Sequence, residues 1–399
     1  MILAWLGAGL WAYTYAGYPV ILAALPRRRG NASIHVARQD AELPMVSITV
    51  PVYNEEASIA ETLDRILAVD YPRARLQVLV VSDGSTDGTD DIVRSYAARG
   101  IDLLHIEERR GKSAAENTAR RLLRGDVIVN TDASVRVHPA AIRHLVAALD
   151  DPGVGVASAR DVSVGGATAA ANAGETAYVG YEMWVRDLET RAGGIVGASG
   201  CLYAIRAQLH AFPVPEVLSR DFTAALVARR EGYRAVSVRD ALCIVPRGAS
   251  LGREYERKVR TMTRGIATLI HNRDLLDPVR HGRFAWMLLS HKLCRWLLPW
   301  ASLAMIAAFA LDARTSWIAR TGLVLAGASF AAFAAGRLWP AGRRMPRFVA
   351  LAAYGATSVM AGLHAWVRVF SGRNAARWEP TRRAPVGGAL HAEPSEHHG

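Results

Sequence analysis

Three apolar runs in this chain end on residues able to do polar chemistry, and a fourth, polar segment opens a helix. Val127-Ile128-Val129-Asn130-Thr131 runs into Asp132, followed by Ala133-Ser134. A carboxylate at the exposed end of an apolar strand suits Mg²⁺ or Mn²⁺, which take few protein carboxylates and complete their shells with phosphate and water. It suits a turn cap equally well. Val80-Val81-Ser82 ends on Asp83-Gly84-Ser85-Thr86-Asp87, where Asp83 can accept bonds from a base or ribose, or simply fix a turn. Val50-Pro51-Val52-Tyr53 leads to Asn54-Glu55-Glu56. Asn54 fits a helix cap with two glutamates in the first turn, or the rim of a nucleotide pocket. Ser219-Arg220-Asp221 precedes the helical stretch Phe222–Arg230, so Asp221 reads as a cap or as a base for an incoming hydroxyl.

Cations accompany these acids. Gly111-Lys112-Ser113 opens a helical stretch, and a helix start plus an ammonium makes a phosphate site. The Walker spacing is absent. Arg253, Arg257, Arg260 and Arg264 share one helical face, a solvated or lipid-facing stripe unless a diphosphate lies beside it. The 399 residues carry a net charge of +12, nearly all from arginine. Lys112, Lys258 and Lys292 are the only lysines. No nucleic-acid motif accompanies the stripe, so nucleic acid is not an expected partner. Cys201, Cys243 and Cys294 have neither metal spacing nor a disulfide framework.

Residues 45–270 alternate short apolar runs with helical stretches. Strands are predicted at Val46–Val52, Gln77–Ser82, Leu103–Ile106 and Val127–Thr131. Helices are predicted at Glu55–Val69, Asp87–Arg99 and Lys112–Leu123. That alternation predicts an α/β domain on a mostly parallel sheet, with ligands beyond the carboxyl ends of the strands.

Membrane segments flank this domain. Residues 1–25 are apolar and uncharged, and Arg27-Arg28-Arg29 follows, which predicts a spanning helix with the next domain in the cytoplasm. Residues 26–44 read as a linker. Phe284–Trp296 reads as an interfacial helix, and Leu297–Leu311, Trp317–Trp339 and Phe348–Phe370 as spans within a region ending at residue 370. Basic residues both precede and follow the last span, so the charge rule gives two incompatible answers for its ends. The tail 371–399 reads as disordered.

Taken in order, the segments resemble the family 2 glycosyltransferases with a GT-A (Rossmann-like) fold, in the membrane-bound branch with cellulose, hyaluronan and exopolysaccharide synthases. The resemblance covers Val46 to Gly265. It implies a multi-pass enzyme of the inner (plasma) membrane, with a cytoplasmic catalytic domain that inverts a sugar taken from a nucleotide diphosphate donor. A UDP-sugar is the expected donor, Mg²⁺ or Mn²⁺ the cofactor, and a glycan of cell-surface or exopolysaccharide synthesis the acceptor. Transfer of one sugar to a lipid or polyprenyl phosphate, or an inactive scaffold role in an export complex, are the alternatives.

By position, the resemblance assigns donor binding to Pro51, Asn54, Glu55, Asp83, Lys112, Asn117, Asp132, Arg257 and Arg260. Asp132 holds the metal, Gly200 lies on the acceptor side, and Asp221 is the base. Three departures stand out. Ser134 replaces the second acid of Asp-x-Asp, Arg220 precedes the base where an acid is usual, and Arg257 and Thr261 replace the Gln and Trp of Gln-x-x-Arg-Trp. The missing Trp weakens the expectation of processive synthesis.

Overall fold

A computed structural model of the chain describes residues 1–26, 39–164, 170–246, 251–339 and 345–372. Most of the expected linker, the centre of the basic loop Arg337–Arg347 and nearly all of the tail lie outside the described residues.

The N-terminal helix runs as α1 (Ile2–Ala12), a π-helical turn at Tyr13–Gly17, and α2 (Tyr18–Ala24). The α/β region then folds as β1 (Val46–Val52), α3 (Ile59–Leu67), β2 (Leu76–Asp83), α4 (Thr89–Ser95), β3 (Ile101–Ile106), α5 (Lys112–Ala119) and β4 (Val127–Thr131). β1 pairs in parallel with β2 and β4, and β2 with β3. β1 is buried along its whole length, so its continuous apolar run is that of a central strand covered on both faces.

The second half is mixed. It comprises β5 (Arg136–Val137), α6 (Ala141–Ala148), β6 (Val154–Val164), α7 (Ala170–Ala192), β7 (Leu202–Arg206), α8 (Ala207–His210), α9 (Arg220–Arg230) and β8 (Arg234–Pro246). β7 runs antiparallel between β4 and β6, giving the strand order β3-β2-β1-β4-β7-β6-β8-β5. Gly125 is the point of closest backbone approach before β4. A Cβ there would stand 2.5 Å from the amide nitrogen of Ser47.

The rest is helical: α10 (Leu251–His271), α11 (Pro278–His281), α12 (Arg283–Leu288), α13 (Cys294–Asp312), α14 (Trp317–Leu338) and α15 (Arg347–Phe370). A π-helical turn at Leu289–Leu293 joins α12 to α13, so the predicted interfacial helix and first span are one helix of 30 residues, Arg283–Asp312. Among the described residues three helices are long and apolar enough to cross a membrane: Arg283–Asp312, Trp317–Leu338 and Phe348–Phe370. The N-terminal helix is less apolar, because Tyr13, Thr14, Tyr15, Gly17, Tyr18 and Pro19 dilute its second half, but it leaves Ile2, Leu3, Trp5, Leu6, Val20 and Ile21 exposed. It packs antiparallel along α13, itself part of the first of these helices. Trp11 donates to Ser302 at 3.2 Å, and the Met1 ammonium meets Asp312 at 2.5 Å.

Candidate active site

Asp83, at the end of β2, is 2% exposed, and its two oxygens accept from the amides of Arg110 (2.9 Å) and Gly111 (2.7 Å). Gly111 has φ of 99°, so a residue free to enter the left-handed region turns the chain into α5. Lys112 is the first residue of that helix. Its Nζ donates to Asp132 Oδ1 at 2.5 Å and to the Gly200 carbonyl at 3.4 Å. Burial pulls the Lys112 ammonium down, but Asp132 and then Glu116 outweigh it and hold the group above its ordinary range.

Gly200 closes the turn between α7 and β7. A Cβ there would lie 3.2 Å from Asp221 Oδ2, so a larger residue would press on that carboxylate. Asp221 is not the cap of α9. That position is Ser219, whose hydroxyl donates to Asp221 Oδ1 at 2.5 Å. Ser199 in the same turn donates to both oxygens of Asp161, at 2.7 and 2.8 Å.

Lys112, Asp132, Gly200, Asp221, Arg257 and Arg260 line one cavity of about 410 Å³. Nine lysines and arginines and five acidic residues line it, and all three lysines are among them. This surplus of positive charge is suited to a polyanion. Arg257 makes ion pairs with Glu254 (2.7 Å) and Glu175 (2.8 Å). Arg264 reaches Ser113 Oγ at 2.6 Å, fastening α10 to the start of α5. A larger cavity of about 820 Å³, bounded by Ala192–Ile195 and Arg283, holds none of the residues singled out from sequence.

Other expected site residues stand behind this wall. Pro51 is buried in register with Val81 of β2. Asn54 is not a helix cap, since α3 begins only at Ile59. It takes φ of 51° and accepts from the Thr86 amide at 2.8 Å, tying the ends of β1 and β2 together. The Glu55 carboxylate accepts from Ser58 at 2.6 Å. Asn117 grips Val214 through both its amide nitrogen (2.7 Å) and its oxygen (3.2 Å), and that same oxygen accepts from Arg220. The side chain of Arg253 lies outside the described residues.

Residues 47–208 match the family model for glycosyl transferase family 2. That segment, which runs from β1 to the start of α8, is similar to the family 2 glycosyl transferases. A mannosyltransferase from Pyrobaculum calidifontis, solved in complex with GDP-mannose and Mn²⁺, is 25% identical and superposes with a TM-score of 0.69, covering 93% of this chain and 99% of its own. An N-acetylglucosaminyltransferase of Bradyrhizobium diazoefficiens is 26% identical over 74% of this chain and 64% of its own length. A beta-monoglucosyldiacylglycerol synthase of Nostoc is 30% identical over 42% of this chain and 36% of its own. The chain thus spans less than two thirds of these curated relatives.

The matched segment departs from the motif of the family it resembles at three places, and the structure shows what stands there. Arg220 is 6% exposed and packs between Glu116 (2.9 Å), Asn117 and His210. Both Glu116 oxygens lack a hydrogen-bond donor, so the contact with Arg220 is an ion pair without hydrogen-bond alignment. Burial and then Arg220 push His210 down to about 3, which keeps it neutral. Thr261 lines the cavity where an aromatic ring was expected, but Trp296 and Tyr354 line it from α13 and α15. Sequence spacing did not assign Glu116, Asp161, Lys258, Lys292 or Tyr354 to the site. The scarcity of lysine was the one signal available, because all three lysines face the cavity.

A divalent cation fits the donor set modestly. Among the described residues no three or more His, Cys, Asp or Glu side chains gather into a metal shell. Of the five acidic residues lining the cavity, Asp132 would be the one to hold the ion, and a single carboxylate beside donor phosphate is the sparse protein contribution that Mg²⁺ and Mn²⁺ accept.

Proposed function

We propose that this chain is a membrane-bound inverting glycosyltransferase that takes a sugar from a nucleotide diphosphate donor at the cytoplasmic face and passes it to a glycan acceptor. One observation carries the reading. Asp132 and Asp221, far apart in sequence, face a single cationic cavity with Gly200 between them. The solved relative holding GDP-mannose supports a nucleotide diphosphate sugar as donor. The UDP-sugar expectation stands beside it as the first donor class to screen.

In the proposed mechanism Asp221 takes the proton of the acceptor hydroxyl as its oxygen attacks the anomeric carbon. The new C–O bond forms on the face opposite the breaking bond to phosphate, which inverts the centre. The departing nucleotide diphosphate carries the displaced electron pair, and Lys112, Arg257 and Arg260 supply positive charge along its path. A divalent cation, Mg²⁺ or Mn²⁺, held by Asp132 and the donor phosphates, would neutralise charge on the leaving group. Asp83 acts through the loop it fixes, by holding the amides that set Lys112 at the start of α5. Asn117 likewise holds Arg220 beside the base.

A second reading is favoured by the cavity wall. Lys292, Arg295 and Trp296 belong to a helix able to cross a membrane, so an acceptor carried on a lipid or polyprenyl phosphate can present its head here. Membranes containing the chain, supplied with UDP- and GDP-sugars and either metal, test both readings. A ladder of products supports polymer synthesis, and a single added sugar supports the lipid acceptor. No donor turnover with any sugar would point to a scaffold and overturn the proposal.

A further inference from the structure

The two ends of α15 both touch the catalytic side of the molecule. The Met1–Asp312 ion pair marks the end of the helical bundle remote from the catalytic domain. α14 returns from that end, and its Phe333 and Arg337 reach the Tyr255 ring of α10 at 6.1 and 5.2 Å. α15 then begins at residue 347. Near its start, Lys258 Nζ sits 4.0 Å from the centre of the Tyr354 ring, and that ring packs on Gly174 of α7. Near its end, Trp366 Nε1 donates to the Trp296 carbonyl at 2.8 Å, and His364 Nδ1 lies 3.0 Å from the Tyr255 hydroxyl. Trp296 belongs to the catalytic end of α13, where it lines the cavity.

A helix of 24 residues is about 36 Å long at 1.5 Å per residue, enough to cross a hydrocarbon layer of about 30 Å. A crossing α15 would carry one end away from the catalytic domain to the level of Asp312. Instead a stripe at helical spacing, Ala350, Ala353, Tyr354, Thr357, Ala361 and Ala365, is buried along its length. In its most apolar window 39% is buried, against 6% for α14. The opposite face leaves Phe348 (76%), Leu351 (50%), Val367 (60%) and Phe370 (71%) exposed.

We propose that α15 does not cross the bilayer but lies along its catalytic-side surface, with this apolar face in the lipid and its buried face walling the cavity through Tyr354. The partner is a lipid surface, as for other amphipathic interfacial helices. The placement also removes the conflict in the charge rule. Arg343, Arg344 and Arg347 on one flank of the sequence, and Arg373 and Arg377 on the other, then belong to one side.

Cysteine accessibility in sealed vesicles of both orientations tests this independently of any sugar transfer. Exposed Ser95 of the catalytic domain, Thr315 of the α13–α14 turn and Ser371 after α15 are each changed to Cys in the full chain. Labelling of the unsubstituted chain, which has three free cysteines, is subtracted. Ser371→Cys is expected to label with a membrane-impermeant maleimide from the side that labels Ser95→Cys, and to lose all labelling from the side that labels Thr315→Cys. Labelling of Ser371→Cys from the Thr315→Cys side overturns the proposal. A reporter enzyme fused after Gly399 reads the same sidedness should the cysteine variants fold poorly. Activity of that reporter on the Thr315 side overturns the proposal equally.

Discussion

Arg220 and Asp221 are sequence neighbours with different work. Asp221 faces the cavity, held by the Ser219 hydroxyl, while Arg220 turns into the protein against Glu116 and Asn117. Asp221→Asn keeps the shape and removes the basicity. It is expected to lower transfer by about 10²–10⁴-fold, the usual worth of a general base. Donor binding, measured by titration with the nucleotide sugar, is expected to stay nearly unchanged, and its loss would make Asp221 a structural residue. Arg220→Met tests the other fate. Glu116 is 0% exposed, and burial raises its carboxyl while Lys112 and Arg220 oppose that rise. Removing Arg220 leaves that buried charge half-compensated, with an expected cost of about 3–5 kcal/mol read from thermal unfolding in detergent.

At the scale of elements, α10 brings Lys258 into the cavity wall. Burial pushes its ammonium down to about 8, Glu254 works against that shift, and Arg257 adds to it. The unfolded chain therefore holds its proton in a window from about 8 to about 10.4 where the folded chain has released it. Stability is expected to rise with pH across that window. In Lys258→Met the slope of melting temperature against pH should be smaller there, and an unchanged slope would refute the assignment. The turn carrying Gly200 makes a sharper geometric demand. Gly200→Ala brings a methyl to 3.2 Å from Asp221 Oδ2, and the expected result is a fall in kcat with little change in donor KM.

The whole molecule is held together across the membrane helices and the catalytic domain by a buried polar chain. Tyr18 of α2 donates to Glu189 of α7 at 2.5 Å, Glu189 meets His291 at 2.6 Å, and Glu182 meets His291 at 3.0 Å and Arg295 at 2.6 Å. The N-terminal helix is thus part of the fold and not a detachable anchor. Tyr18→Phe removes one hydrogen bond to a buried carboxylate. The expected loss is about 1.5–3 kcal/mol of stability, with donor KM unchanged.

Composition and pattern determined much of this protein. Apolar runs specified β1, β2 and β4 to within a residue, because a strand covered on both faces is mostly apolar, while the half-exposed edge strand β3 starts two residues before its expected range. Asp83 and Asp132, at the ends of β2 and β4, were legible as the points where the apolar runs stop. Lys112 and Asp132 were readable as chemistry, but their contact was not, since it depends on Asp83 clamping the turn before α5. The packing of Arg220 on Glu116 and of Tyr354 on Lys258 joins residues separated by about a hundred positions, and no local period encodes such a meeting. The course of α15 was beyond the sequence too. Its apolarity is that of a spanning helix, and only the contacts at its two ends decide which surface it lies against.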